Sequence, residues 1–156
     1  MGILIEFVLE QYRYKDIVTV EEGDYVIDGG ACYGDTALYF ANRGKDKGKV
    51  FSFEFMDENL EIFKRNLELN PQYKNNIELV SKPLGLNSGE KLYAVFNGPG
   101  TSITSQRTVG AVEFEIISID DYVSQNNIEK IDFIKLDVEG SEEAILKGAA
   151  NTIKKV

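Results

Sequence analysis

Apolar positions along the chain repeat with two different periods, and the change from one to the other marks out its elements. Tyr25-Val26-Ile27 ahead of Asp28, Lys49 to Phe55, Ile77 to Val80 and Asp132 to Val138 are short apolar runs of strand length. The last is apolar enough to be buried on both faces, as a parallel strand is. Between the first three runs the pattern is helical. Thr36 to Ala41 is stopped by Asn42-Arg43-Gly44, and a second helix runs from Asp57, an N-cap residue, with Leu60, Phe63, Leu67 and Leu69 on or near one face, until Asn70-Pro71 ends it. This alternation of strand and helix predicts an α/β fold with a doubly wound, Rossmann-like sheet.

Beyond the turn Lys82-Pro83-Leu84-Gly85 the period shortens. Lys91 to Phe96 and Val112 to Ile119 alternate like antiparallel strands, so residues 86–119 read as a hairpin-like insertion before the fourth core strand. Its loop, Gly98 to Thr108, is rich in glycine and hydroxyls, which predicts a mobile segment suited to a lid, a substrate contact or a plain solvated loop. A last helix is expected over 141–150, with Ser141 as N-cap and Glu142 and Glu143 in the first turn, where the helix dipole favours them. Residues 1–24 form a lead-in that packs on a sheet edge or covers the site, and the core spans 25–150 of a single domain.

The chemistry starts at Asp28. The run Asp28-Gly29-Gly30-Ala31-Cys32-Tyr33-Gly34-Asp35-Thr36 carries a strand into a glycine-rich turn and then a helix, whose unpaired amino-terminal N–H groups suit a small ligand. A carboxylate beside the turn repels a pyrophosphate and suits an amine, and the Gly-x-Gly-x-x-Gly spacing of a dinucleotide site is missing. S-adenosyl-L-methionine, with its amino group and sulfonium, fits that charge. Glu54, closing the second strand, stands near the spacing at which an acid chelates ribose hydroxyls. A plain strand–turn–helix with solvated caps is the competing reading.

Three segments, Asp28 to Thr36, Gly48 to Glu54 and Ile134-Lys135-Leu136-Asp137-Val138-Glu139-Gly140-Ser141-Glu142, resemble the FkbM-type S-adenosylmethionine-dependent methyltransferase family in order and spacing. The similarity runs from about Tyr25 to Ala150 and includes Ile119-Asp120-Asp121-Tyr122. Two positions depart from the family, which usually has Asn at Cys32 and Pro at Phe55. The resemblance implies a methyltransferase of small-molecule or glycan hydroxyls. The cofactor-binding set is then Asp28, Gly29, Gly30, Ala31, Tyr33, Gly34, Asp35, Thr36, Glu54, Phe55, Leu84 and Asp137. The family fold has further strands past the last helix, so the domain is expected to be truncated at its C-terminal side. Its fourth strand would then form an edge covered by a partner or a second copy.

Histidine is absent, which excludes a Ser-His-Asp triad; with one cysteine, it also excludes a zinc set. A general base must be a carboxylate, a lysine or a tyrosine. Asp137 and Glu139, at the carboxyl end of the fourth strand, are the catalytic candidates, since two close carboxylates raise the pKa of one. The simpler reading has Asp137 ordering the cofactor edge and Glu139 capping the last helix. Asp137, Glu139 and Glu142 lack the compact loop of a Mg²⁺ or Ca²⁺ site, so no metal is expected. A net charge of −9 without a basic cluster argues against nucleic acid and anionic lipid, and no apolar run reaches the roughly 20 residues of a spanning helix. The single Cys32 and the absence of a leader point to the cytoplasm. At a helix start its thiol is either acidified or simply packed beneath the loop. Two other functions compete: a noncatalytic S-adenosylmethionine-binding or interaction module, and a nicotinamide oxidoreductase.

Overall fold

The computed structural model describes residues 4–97, 100–104, 106–138 and 140–154. Four parallel strands make the central sheet: β1 (Tyr25–Gly29), β2 (Lys49–Phe53), β3 (Ile77–Val80) and, after a long excursion, β7 (Phe133–Leu136), in the order β3-β2-β1-β7. Parallel neighbours need crossovers, which α1 (Asp35–Gly44) supplies between β1 and β2 and α2 (Asp57–Leu69) between β2 and β3. The excursion holds a separate antiparallel sheet of β4 (Lys91–Asn97), β5 (Gly100–Thr104) and β6 (Val112–Glu115), then α3 (Ile119–Gln125). After β7 come α4 (Glu142–Lys147) and α5 (Ala150–Ile153).

Period-two alternation splits the core between the two faces of the sheet. Val26 and Val50 point to one face, where they meet Ala37 and Phe40 of α1 and Phe63 of α2. Ile27 and Phe51 point to the other, against Ile119 and Tyr122 of α3 and Ile145 of α4. β1 is thus covered on both sides, as an interior parallel strand must be. The chain winds from β1 out to β3 and then returns to the far side of β1, so the winding reverses between β1 and β7. In open α/β sheets ligands bind outside the carboxyl ends of the strands at such a reversal.

The lead-in packs on α1 and reaches that end. Its first turn, Leu4–Val8, is a π-helix; Phe7 stands edge-on to Tyr39 at 5.5 Å and Tyr12 is tilted against Phe40 at 5.9 Å. Tyr12 of the lead-in reaches the turn after β7, where its hydroxyl stands 3.4 Å from Asp137 Oδ2.

Several boundaries differ from the sequence expectation. The second and fourth strands end at Phe53 and Leu136, short of Phe55 and Val138, because the chain turns there to build the site. The insertion is three-stranded: part of the segment read as a mobile loop is β5, paired with β4 from Asn97↔Gly100 to Tyr93↔Thr104. Gly98, Pro99 and Ser105 of that segment lie outside the described residues. The run to Ile119 stops being strand at Glu115, because Ser118 caps α3 by accepting a hydrogen bond from the Asp121 N–H at 3.2 Å. The last helix is broken at Gly148, where a Cβ would come 2.4 Å from the Gly85 carbonyl oxygen; the Asp120 carboxylate then caps α5 by accepting from the Asn151 and Thr152 N–H groups. Asp57 is the first residue of α2 and not its cap, which falls on Met56. Ser141 holds the N-cap position of α4 without a side-chain hydrogen bond there. No helix among the described residues is long and apolar enough to cross a membrane.

Candidate active site

The first turn is fixed by backbone geometry before any ligand is considered. Gly30 and Ala31 donate N–H bonds to the Phe53 carbonyl at 3.1 and 3.0 Å, which ties the turn after β1 to the end of β2. Gly30 has φ +73°, and a Cβ there would stand 2.1 Å from the Asp137 carbonyl oxygen. Only glycine lets the turns after β1 and β7 approach so closely. Gly34, at φ +84°, is pressed against the Phe63 ring, 2.4 Å from where a Cβ would be. It is the N-cap of α1 and leaves that helix without a side-chain cap.

Beneath the turn lies a buried ion pair. Asp28 is wholly buried and Lys135 is 4% exposed, with the ammonium 3.1 Å from Asp28 Oδ1. Lys135 donates instead to the carbonyls of Gly29 and Gly30 at 3.1 and 2.8 Å, so its approach to Oδ1 is an ionic contact without hydrogen-bond geometry. Thr36 Oγ1 donates to Asp28 Oδ2 at 2.8 Å, and Ser52 Oγ stands 3.4 Å from the same oxygen. Asp28 therefore sits under the turn and holds it, whereas the sequence reading set it in the mouth beside an amine. Lys135 is a site residue that sequence reasoning missed. Its signal was a lone charge inside the apolar run Phe133-Ile134-Lys135-Leu136.

Glu54 organises the neighbouring corner. Its Oε1 accepts from the Phe55 and Met56 N–H groups at 2.7 and 2.8 Å; its Oε2 accepts from the Cys32 N–H at 3.0 Å and from Asn59 Nδ2 at 3.1 Å. Both oxygens carry two donors, the full capacity of a carboxylate. Asn59 is thus a second missed residue, hidden because its partner lies across a turn. Cys32 is in the left-handed region at φ +47°, and burial of its thiol together with the Glu54 charge pushes the thiol pKa up. Cys32 is nevertheless an exposed residue, so it is not packed beneath the loop, and the upward direction of its pKa speaks against the acidified thiol as well.

Other predicted residues divide between mouth and core. Tyr33 is exposed, with its carbonyl accepting from Asn66 Nδ2 at 2.8 Å, and Asp35 opens α1. Phe55 meets Phe114 of β6 edge-to-face at 4.8 Å, bringing the insertion over the end of β2. Leu84 is buried in the core on the Ile27 face, under Gly29, rather than in an open pocket. Asp137 is exposed at the mouth, where its N–H donates to the Gly29 carbonyl at 3.1 Å and the Tyr12 hydroxyl reaches its Oδ2 at a long 3.4 Å. Burial and the Asp137 charge raise the Tyr12 phenol pKa well above its usual range. Glu139 lies outside the described residues. Glu142 turns back to accept from the Val138 and Gly140 N–H groups at 3.3 and 3.0 Å, and its own backbone N–H, then these two, hold its pKa low. It fixes the turn after β7. No cluster of three potential metal ligands occurs among the described residues.

Glu6 is the last unexpected member. Its carboxyl lies against Asp35, and burial, then the charges of Asp35 and Asp28, raise its pKa from 4.5 to about 7. A cleft of about 640 Å³ bounded by Tyr25, Lys49, Ile77 and Asn126 lies at the opposite, amino end of the strands. It is remote from this chemistry, and open α/β sheets do not place their ligands there.

The comparisons with known proteins agree with this layout. The chain is 27% identical over 136 residues to the hexuronic acid methyltransferase AglP of Haloferax volcanii, covering 87% of this chain and 54% of that protein. The crystal structure of methyltransferase FkbM from Methylobacillus flagellatus KT superposes on 92% of this chain and 33% of its own, with TM-score 0.67 and 22% identity. The chain thus spans about half the length of the one and a third of the other. The methyltransferase FkbM domain matches residues 28–156, from the acid under the glycine turn past β7 and through α4 and α5, and the chain belongs to that family.

Proposed function

We propose that the chain binds S-adenosylmethionine over the Gly29–Gly34 turn and methylates a hydroxyl group of a small molecule or glycan. The observation that carries this is the convergence, at the reversal between β1 and β7, of an uncapped α1 amino end, a buried acid at the end of β2 and an exposed Asp137. The residues fit the group. Glu6 Oε2 is a buried carboxylate oxygen with no hydrogen-bond partner, of the right charge for an amine. When bound, the cofactor would supply an electrophilic methyl group carried on a sulfonium, with a neutral thioether as its leaving group.

The protein's own part is positioning and proton removal. Glu54 holds the ribose through one of its four acceptor sites. Asp28 and Lys135 fix the turn from below. Asp137 takes the hydroxyl proton as the acceptor attacks, with Glu139 the second candidate for that role. Tyr12, against Asp137, orients the base. A sugar acceptor is supported by the name of the Haloferax volcanii relative, a hexuronic acid methyltransferase. The outer edge of β7 supports pairing with a second copy or another strand, the acidic balance supports an acceptor other than nucleic acid, and a single cysteine supports a reducing compartment such as the cytoplasm.

The test is transfer of labelled methyl from S-adenosylmethionine to a panel of hexuronic acids, neutral sugars and simple alcohols. Label in a sugar hydroxyl, lost in Asp137→Asn, supports the reading. Cofactor binding without transfer to any acceptor would favour a binding module.

A further inference from the structure

Glu6 takes no part in the methyl or proton transfer derived above, yet its position is costly. The residue is only 8% exposed, and its Oε2 accepts no hydrogen bond. A buried carboxylate without donors is unfavourable unless something else satisfies it. The groups facing it come from every neighbouring element: Asp35 at the start of α1, Asp28 of β1, Lys135 of β7, and Tyr12 of the lead-in itself. Three of these four side chains are acids or phenol, and the single cation, Lys135, is spent on Asp28 and two carbonyls. Asp28 Oδ1 also accepts no hydrogen bond, but the Lys135 ammonium 3.1 Å away meets its charge, so the shortfall falls on Glu6. The arrangement is short of one positive donor at the mouth of the glycine turn.

We propose that Glu6 is a cofactor-binding residue: the lead-in carries it over the turn so that, with Asp35, it receives the ammonium group at the amino-acid end of the bound nucleoside. This rests on the S-adenosylmethionine reading. Without ligand, a proton bridges Glu6 and Asp35 and quiets their repulsion. The incoming ammonium replaces that proton, which leaves to solvent. The lead-in is then part of the site, and its contribution to binding is tied to the ligand's charge and not to its adenosine.

The experiment compares two ligands by isothermal titration: S-adenosylhomocysteine, which has the ammonium, and 5′-methylthioadenosine, which keeps the nucleoside and sulfur but lacks it. The wild-type chain should bind both. Glu6→Gln should weaken S-adenosylhomocysteine by about ten- to a hundredfold, the range for a lost charge-assisted bond, and leave methylthioadenosine unchanged. Asp35→Asn should show the same selectivity, which keeps the test open if Glu6→Gln does not fold. Wild-type affinity for S-adenosylhomocysteine should also rise with pH up to about 7, where Glu6 loses its proton, and then level; Glu6→Gln should remove that rise. Equal weakening of both ligands, or of neither, in folded Glu6→Gln overturns the proposal. If the wild type binds neither ligand, the cofactor reading itself has failed, and the proposal with it.

Discussion

Replacing Lys135 by Met tests what holds the site together. The side chains of Lys135 and Asp28 are 3% and 0% exposed, so solvent screens neither charge. Met fills much of the lysine stem's volume but removes the ammonium. Asp28 is then left charged in the core with only two hydroxyls near it, and the Gly29 and Gly30 carbonyls lose their donor. Removing one partner of a buried pair costs about 3–5 kcal/mol. Against a typical total of about 5–15 kcal/mol, that is a large fraction of the stability. At about 2–4 °C per kcal/mol for a chain of this size, Tm should fall by roughly 6–20 °C. Adding Asp28→Asn removes the stranded charge, so the double variant should recover part of the loss, with a coupling of about 1–3 kcal/mol. Urea unfolding of the wild type, both single variants and the double, read as midpoints at constant m, measures this. A Lys135→Met protein within about 1 kcal/mol of wild type would refute the reasoning, because the pair would then be hydrated or absent.

Gly34→Ala meets both a positive φ and the Phe63 ring, and should cost at least about 2 kcal/mol in the same urea experiment. Glu54→Ala strands the donors of Cys32, Phe55, Met56 and Asn59 and removes the ribose contact, so affinity for S-adenosylhomocysteine by calorimetry should fall by about 1.5–3 kcal/mol in the folded variant. Because Glu6 titrates at about 7 when folded against an ordinary 4.5, the folded state holds a proton that the unfolded chain has lost between those values. Stability should therefore decline from about pH 4.5 to 7 by on the order of 1–3 kcal/mol and level above, and thermal melts of Glu6→Gln should lack that decline.

The parts of the fold that sequence made legible are those built from local pattern. The apolar strands, the α2 stripe and the glycine turn after Asp28 each follow from residues a few positions apart, and so does the cofactor turn as a candidate site. What escaped depends on contacts far along the chain. Lys135 has meaning only once β7 lies beside β1, and Glu6 only once the lead-in crosses the mouth of the turn. β5 escaped because a hydroxyl-rich segment reads as loop until β4 offers its edge. The break at Gly148 is set by the Gly85 carbonyl pressing on it, which nothing in the helical pattern announces. Asp28 stands out in the sequence by its place before the glycines, but its burial beside Lys135 could not be read there, because the cation comes from β7.

The most direct measurement is calorimetric titration of the wild-type chain with S-adenosylhomocysteine and, separately, with NAD. The account predicts saturable binding of S-adenosylhomocysteine at one site per chain and no measurable heat with NAD. Binding of NAD with none of S-adenosylhomocysteine would contradict it.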